Sequence, residues 1–187
     1  MVVAAVLVIG GIIATVATAG PGALPTAWPL VGLGYTAWWL FWYPRVCVSA
    51  DGVTLVNPLR RICVPWAALI QVDTKYALTL VTARRSYRAW AAPAPGVIGT
   101  HAGKPEHLMN LPETSYGPLR SVRPGDLSNS DSGYAAFLVR SQWERLRDSG
   151  AIEPDGEGAQ PVVMSINWGQ LASAAVLVIV GFLADAG

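Results

Sequence analysis

The sequence predicts an α+β protein in which a small antiparallel sheet, closed by one amphipathic helix, lies between apolar helices that cross a membrane. Three observations predict it. Charged residues are confined to the middle of the chain, because the first is Arg45 and none lies between Glu157 and Asp185. Short alternating apolar runs with turn residues between them occupy the first half of that middle. One segment of helical periodicity closes it.

Three uncharged apolar tracts predict three transmembrane helices. Residues 2–19 form a run long enough, at about 1.5 Å per residue, to cross most of a hydrocarbon core of roughly 30 Å. Turn residues then separate it from a second span at 28–43, whose aromatic end is typical of a headgroup layer, so that 1–43 is a helical hairpin. The third span is predicted at 162–184. A core helix of a soluble protein would carry a polar stripe, and these tracts carry none.

The positions of positive charge predict the topology, because Lys and Arg beside a span are retained in the cytoplasm. Arg45 adjoins the second span, whereas the loop at 20–27 is uncharged. We therefore expect a multi-pass plasma-membrane protein with domain 44–150 in the cytoplasm and the C-terminal end outside. Residues 17–19, Ala-Thr-Ala, resemble a signal-peptidase site, so cleavage of the first span stays open. Residues 1–5 lack the basic side chains of a signal peptide.

Alternating apolar residues between turn signals predict five or six strands. Asp51-Gly52 indicates a hairpin, and Pro65 interrupts the third strand because proline has no N–H for the ladder. The strands are predicted at 45–49, 53–56, 61–64, 77–82 and 86–90, with 67–73 as a further short strand or a turn segment. Strands this close together indicate an antiparallel sheet that is curled or doubled.

The second half of the domain contains an insertion and a helix. Residues 92–132 are rich in Pro, Gly, Ser and Asn, which predicts an irregular insertion that is either disordered or a binding loop. Apolar residues at three- and four-residue steps predict a helix over 134–149 that Gly150 ends. The predicted apolar stripe is Ala135, Leu138, Val139, Gln142, Trp143 and Leu146, and the predicted solvent side is Arg140, Glu144, Arg145, Arg147 and Asp148. Residues 151–161 are a predicted linker.

A set of short motifs carries a resemblance to a known family. They are the apolar hairpin, Pro44-Arg45-Val46, Asp51-Gly52-Val53, the stretch from Val64 to Ile70, the stretch from Ala91 to Gly96, and Trp143-Glu144-x-Leu146-Arg147. Over nearly its full length the chain resembles the actinobacterial PH-domain-containing membrane proteins, of the bacterial pleckstrin-homology family. The resemblance implies a PH-like curled sheet closed by a C-terminal helix. It says little about activity, because that fold hosts many binding functions.

Basic side chains at the predicted turns are candidates for membrane contact. Phosphoinositide-binding PH domains hold phosphates at their first hairpin loop, but here that loop contains Asp51 and no cation, so no specific phosphoinositide is expected. The candidate membrane-surface contacts are Arg60, Arg61, Arg84, Arg85 and Arg88. Each would add about 1 kcal/mol of attraction to an anionic leaflet. The alternative is that these arginines are simply solvated.

A long polar loop on a rigid scaffold is a usual place for recognition residues. In the insertion we single out Leu111, Glu113 and Tyr116 as a possible loop for a protein partner. Between Arg45 and Glu157 the thirteen basic and eleven acidic side chains leave a net charge of +2. This excess is too small to indicate nucleic acid.

The sequence offers no catalytic, cofactor or metal site. His101, Glu106 and His107 lie in the Gly/Pro-rich insertion with no regular element to set their geometry, so we expect no metal. Motifs for a nucleophile, a phosphate loop or a zinc site are absent from the sequence. Cys47 and Cys63 are expected to remain reduced in the cytoplasm. We therefore expect no enzyme and no cofactor.

Two functions fit these expectations. The first is a membrane-anchored module that docks a protein partner at the cytoplasmic face, with some contact to the lipid bilayer. The alternative is an accessory subunit of a larger transport or lipid-handling complex that associates through its transmembrane helices, where Gly10, Gly11, Gly32 and Gly34 would allow close helix contact. A hydrolase using Ser, His and Asp from the insertion is the weakest hypothesis.

Overall fold

The computed structural model describes residues 2–96, 111–116, 122–127, 129–152 and 160–185. The chain divides into two compact units. The helical unit comprises Met1–Pro44 and Ile166–Gly187, and the sheet unit comprises Arg45–Ser165.

The described elements are four α-helices and seven strands. The helices are α1 (Val2–Ala19), α2 (Trp28–Phe41), α3 (Asp131–Asp148) and α4 (Trp168–Asp185). The strands are β1 (Arg45–Val48), β2 (Gly52–Val56), β3 (Arg60–Pro65), β4 (Gln71–Asp73), β5 (Ala77–Val81), β6 (Ser86–Pro93) and β7 (Val163–Ile166). Short 3₁₀ helices lie at Pro21–Ala27, Trp66–Ala68, Glu113–Ser115 and Pro124–Asp126.

The helical unit is held by side-chain hydrogen bonds between α2 and α4. The indole Nε1 of Trp28 donates to the carbonyl of Leu177 at 2.8 Å. The hydroxyl of Tyr35 lies 2.9 Å from Oε1 of Gln170. Both bonds satisfy polar groups of otherwise apolar helices, where an unpaired group would be costly.

Among the described residues, one helix is long and apolar enough to cross a membrane. This is α1, with 18 residues and no buried side chain. The apolar stretch of α4, Trp168–Leu183, is shorter, and α2 has 14 residues. The second and third spans therefore stay predictions.

The third span does not begin where the sequence predicted. Val163–Ile166 forms strand β7 next to β3, and α4 starts at Trp168. The prediction of helix from 162 was wrong here because hydropathy does not distinguish the two structures, whereas the β-branched residues of this segment favour an extended backbone.

The sheet unit contains two antiparallel sheets, as the closely spaced strands predicted. Their strand orders are β1-β2-β3-β7 and β4-β5-β6. In the first sheet Arg45 pairs with Val56, and Val53 pairs with Val64. The segment 67–73, which the sequence left open, divides into a 3₁₀ helix and β4. This α+β arrangement is consistent with a PH-like fold.

The core lies between the sheets and α3. Leu55, Leu78, Leu80 and Val139 are fully buried within it. Burying one such side chain contributes roughly 1.5–3 kcal/mol. Trp66 and Trp143 are buried in the same cluster, so both rings are part of the hydrophobic core.

Helix α3 differs from its prediction in its start and in its buried face. It begins at Asp131, because the Ser130 hydroxyl caps it by accepting from the N–H of Gly133 at 3.0 Å. The predicted stripe residue Leu138 is 41% exposed, whereas Arg140, predicted on the solvent side, is buried. The prediction for Arg140 was wrong because periodicity assigns any charge to the solvent side, whatever partners lie opposite.

Candidate docking surfaces

A buried ion pair and its hydrogen bonds attach the described parts of the insertion to α3 and β4. Nη1 of Arg140 lies 2.5 Å from Oδ1 of Asp126, and these side chains are 5% and 2% exposed. Arg140 also donates to the Ser115 hydroxyl at 3.0 Å and to the Val72 carbonyl at 2.8 Å. The Thr74 hydroxyl donates to the same carboxylate oxygen at 2.8 Å. One guanidinium group thus joins α3, β4 and two segments of the insertion.

The net contribution of this ion pair to stability depends on its burial. Desolvating two charges is costly, and only good geometry with additional hydrogen bonds offsets that cost. Arg140 has these bonds at both terminal nitrogens, although its Nε has no partner among the described residues. The pair is not predictable from the sequence, because its members lie in the helix and in the insertion and no local pattern connects them.

Close backbone contact next to Asp126 requires a glycine. A Cβ atom added to Gly125 would collide with the Thr74 carbonyl. Thr74 is also the residue whose hydroxyl bonds to Asp126. The glycine therefore lets the insertion approach β4 closely enough for the carboxylate to reach its partners.

Residues 111–116, which we call the helix-bound loop, are attached to α3 at two points. Oε1 of Glu144 accepts from the Thr114 N–H at 2.9 Å and from its hydroxyl at 2.7 Å. The second attachment is the bond from Arg140 to Ser115. Of the three predicted partner residues, Leu111 is buried, Glu113 is exposed and Tyr116 is half-buried. Of these three residues, Glu113 and Tyr116 therefore present side-chain surface to solvent.

Asn57 joins the two sheets. Its Nδ2 donates to the Arg88 carbonyl at 2.9 Å, and its Oδ1 accepts from the Trp90 N–H at 2.8 Å. The register of β5 against β6 shifts between Ala77 and Thr79, so the backbone of β6 leaves the regular ladder in this region. The Asn57 amide supplies one donor and one acceptor, as a backbone peptide of a neighbouring strand would. The turn after β2 is thereby held against β6.

Exposed cations and apolar side chains lie in the segment after Asn57, at residues 75–76 and on the adjoining part of β6, and we call this set the basic–aromatic strip. Its residues are Leu59, Arg60, Arg61, Lys75, Tyr76, Arg88 and Trp90, all exposed. Leu59, Trp90 and Tyr76 are 53%, 54% and 66% exposed. Nζ of Lys75 lies 5.1 Å from the centroid of the Tyr76 ring, and the guanidinium carbon of Arg88 lies 5.9 Å from it, both within cation–π range.

The structure brings together only part of the predicted arginine set. Arg60 and Arg61 follow the turn that Asn57 holds beside Arg88. Arg84 and Arg85 are exposed in the turn between β5 and β6, and Arg85 lies roughly 10 Å along the strand from Arg88. The strip residues Leu59, Lys75, Tyr76 and Trp90 were not predicted from the sequence. Of these four, Trp90 could have been found from the sequence, because alternation along β6 puts it on the same face as Arg88.

The other residues considered for metal binding or thiol chemistry form no such site in the described part of the chain. His101, Glu106 and His107 lie outside it. Among the residues that the structure describes, no group of three or more His, Cys, Asp or Glu side chains is placed to hold a metal. Cys47 is exposed and Cys63 is half-buried, and both are free thiols.

Comparison with known proteins bears on the sheet unit. No curated protein and no solved structure matches the chain. Residues 43–100, less than half of the chain, match the family model described as Bacterial PH domain. This segment contains β1 to β6 and therefore both described sheets except β7. The match and the fold together support a PH-domain-containing protein, whose similarity to bacterial PH domains lies in residues 43–100.

Proposed function

We propose that this protein is a membrane-anchored PH-like interaction module that docks a protein partner at the cytoplasmic face of the plasma membrane and catalyses no reaction. The similarity to bacterial PH domains supports an interaction module. The observation that carries the docking role is the attachment of the helix-bound loop to α3 through Arg140 and Glu144.

Attachment matters because ordering a free loop on binding costs conformational entropy. Here the loop is already held by three hydrogen bonds, from Thr114 to Glu144 and from Arg140 to Ser115. Its exposed carboxylate, Glu113, and half-buried ring, Tyr116, are therefore presented on a rigid support. An acidic side chain and a phenol ring in one short loop suit a partner with a basic side chain and an apolar neighbour.

Membrane anchorage rests on α1 and on the distribution of charge. Helix α1 is apolar over its 18 residues. Three residues separate Arg45 from α2, and Arg45 is the first charged side chain of the chain. Positive charge beside an apolar helix favours retention on the cytoplasmic side.

Site-specific photo-crosslinking tests the docking role. A photoreactive amino acid is placed at Glu113 or Tyr116 of the full chain in native membranes, with Asp51, exposed in the turn between β1 and β2, as the control position. We expect adducts with one discrete protein from the two loop positions and none from the control. Adducts of equal yield from all three positions, or no protein adduct from the loop, would overturn the proposal.

The alternative function, association through the helices, has one observation in its favour. An added Cβ at Gly10 or Gly32 would meet nothing within 4 Å among the described residues, whereas Gly34 would meet Val8 at 3.2 Å. The first two glycines are thus available to another helix, and Gly34 is used inside the unit. If the alternative holds, Gly32→Leu removes the protein from a larger complex on native gels while the loop variants leave that complex intact.

A further inference from the structure

We infer that the basic–aromatic strip binds the headgroup layer of an anionic phospholipid bilayer, with its rings and Leu59 entering the interface and its cations beside lipid phosphates. The inference uses the membrane anchorage proposed above, and it does not depend on the protein partner.

The charge of the strip is complementary to such a surface. Arg60, Arg61, Lys75 and Arg88 supply four cations, and no residue of the strip is acidic. The carboxylate that ends β4, Asp73, is paired with Arg123. Clustered cations near a bilayer are attracted by the negative potential of anionic lipids, which decays within a Debye length.

The apolar members of the strip suit an interface between water and hydrocarbon. Trp90 and Tyr76 have an apolar ring with one polar group, and such side chains are favoured at the level of lipid headgroups. Both rings and Leu59 are more than half exposed in the sheet unit. Cations interleaved with rings distinguish this surface from the helix-bound loop, whose exposed charge is acidic.

The strand pairing places the turn with Leu59 and Arg60 at one end of the first sheet. Arg45 opens β1 and pairs with Val56, so the turn after β2 lies beside the start of β1. The turn with Asp51 lies at the other end of β1 and β2.

Lipid quenching of a fluorescent probe tests the inference on the full chain in nanodiscs. The probe is attached at Leu59→Cys, or at Asp51→Cys as the control, in a Cys47→Ser/Cys63→Ala background. The discs contain phosphatidylcholine alone or with phosphatidylglycerol, together with a lipid that carries a nitroxide quencher at its headgroup. We expect strong quenching at position 59 in anionic discs only, and its loss at about 1 M salt, where the Debye length is about 3 Å.

A charge-reversal variant tests the role of the cations. Arg60→Glu/Arg88→Glu should abolish the quenching at position 59, while Arg145→Glu, an exposed change on α3, should leave it intact. Equal quenching at positions 59 and 51 would overturn the inference, and so would equal quenching in discs with and without phosphatidylglycerol.

Failure of the anchorage would give a different result. The chain would then remain outside the discs, and the strip would be tested by co-sedimentation of the free chain with vesicles of the same two compositions. The strip predicts binding to the anionic vesicles, weakened about tenfold or more by the double charge reversal. Equal binding of the variant and the unaltered chain would overturn it.

Discussion

The buried pair of Arg140 and Asp126 makes the strongest prediction about stability. Arg140→Met removes the donors to Asp126, Ser115 and the Val72 carbonyl. The Asp126 carboxylate, which is 2% exposed, then keeps one hydrogen-bond donor among the described residues, the Thr74 hydroxyl. Removing one partner of a buried ion pair costs about 3–5 kcal/mol, because the other charge stays buried without compensation.

The double variant separates loss of the pair from loss of packing. Arg140→Met/Asp126→Leu removes both charges and replaces them with apolar groups of similar size. Such a replacement of a complete buried pair is often close to neutral. We therefore expect the double variant to be more stable than either single variant, with a coupling energy of about 2 kcal/mol or more. Arg145→Met, on the exposed side of α3, is the matched control and should change stability by less than about 0.5 kcal/mol.

Hydrogen exchange measured by mass spectrometry on the full chain in detergent provides the assay. Free energies of opening are followed in peptides from β4, β5 and α3, which the pair connects or adjoins. Peptides from α1 serve as the internal reference. Single variants that cost less than about 1 kcal/mol, or a double variant whose cost equals the sum of the singles, would refute this account of the pair.

Three further predictions concern separate contacts. Gly125→Ala should lower the thermal unfolding midpoint of the sheet unit, because the added Cβ collides with the Thr74 carbonyl. Gly96→Ala is the control and should leave the midpoint unchanged, because an added Cβ there meets nothing within 4 Å. Equal midpoints for the two variants would contradict this prediction. Asn57→Ala should speed exchange of the Trp90 amide about fivefold, since the hydrogen bond it loses is worth about 1 kcal/mol. Unchanged exchange would show that the Asn57 amide does not hold β6. Exposed Cys47 should react with an impermeant maleimide in inverted vesicles and not in intact cells; the reverse pattern would place the sheet unit outside.

Much of the sheet unit follows from local sequence. The predicted hairpin at Asp51-Gly52 and the strands β1, β2, β3, β5 and β6 lie within one to three residues of their observed bounds. These predictions succeeded because alternation and turn chemistry act between residues close in the chain. The same is true of α3, whose Ser130 cap moved the start by three residues without changing the element.

The candidate surfaces depended on contacts between distant residues. Arg140 was assigned to solvent because its partners are remote in sequence: Asp126 lies 14 residues away and Val72 lies 68 residues away. Likewise, the turn after β2 lies against β6 because the Asn57 amide bonds to the Arg88 carbonyl, 31 residues away.

The sequence by itself therefore determined the apolar ends, the charged middle and the succession of strands, because each depends on composition or on a period of a few residues. The tertiary structure alone decided that Arg140 is buried, that Val163–Ile166 is a strand and that Asn57 is bonded to the backbone of Arg88 and Trp90. The physical reason is that burial and pairing depend on which residues meet in space, and a pattern along the chain does not contain that information.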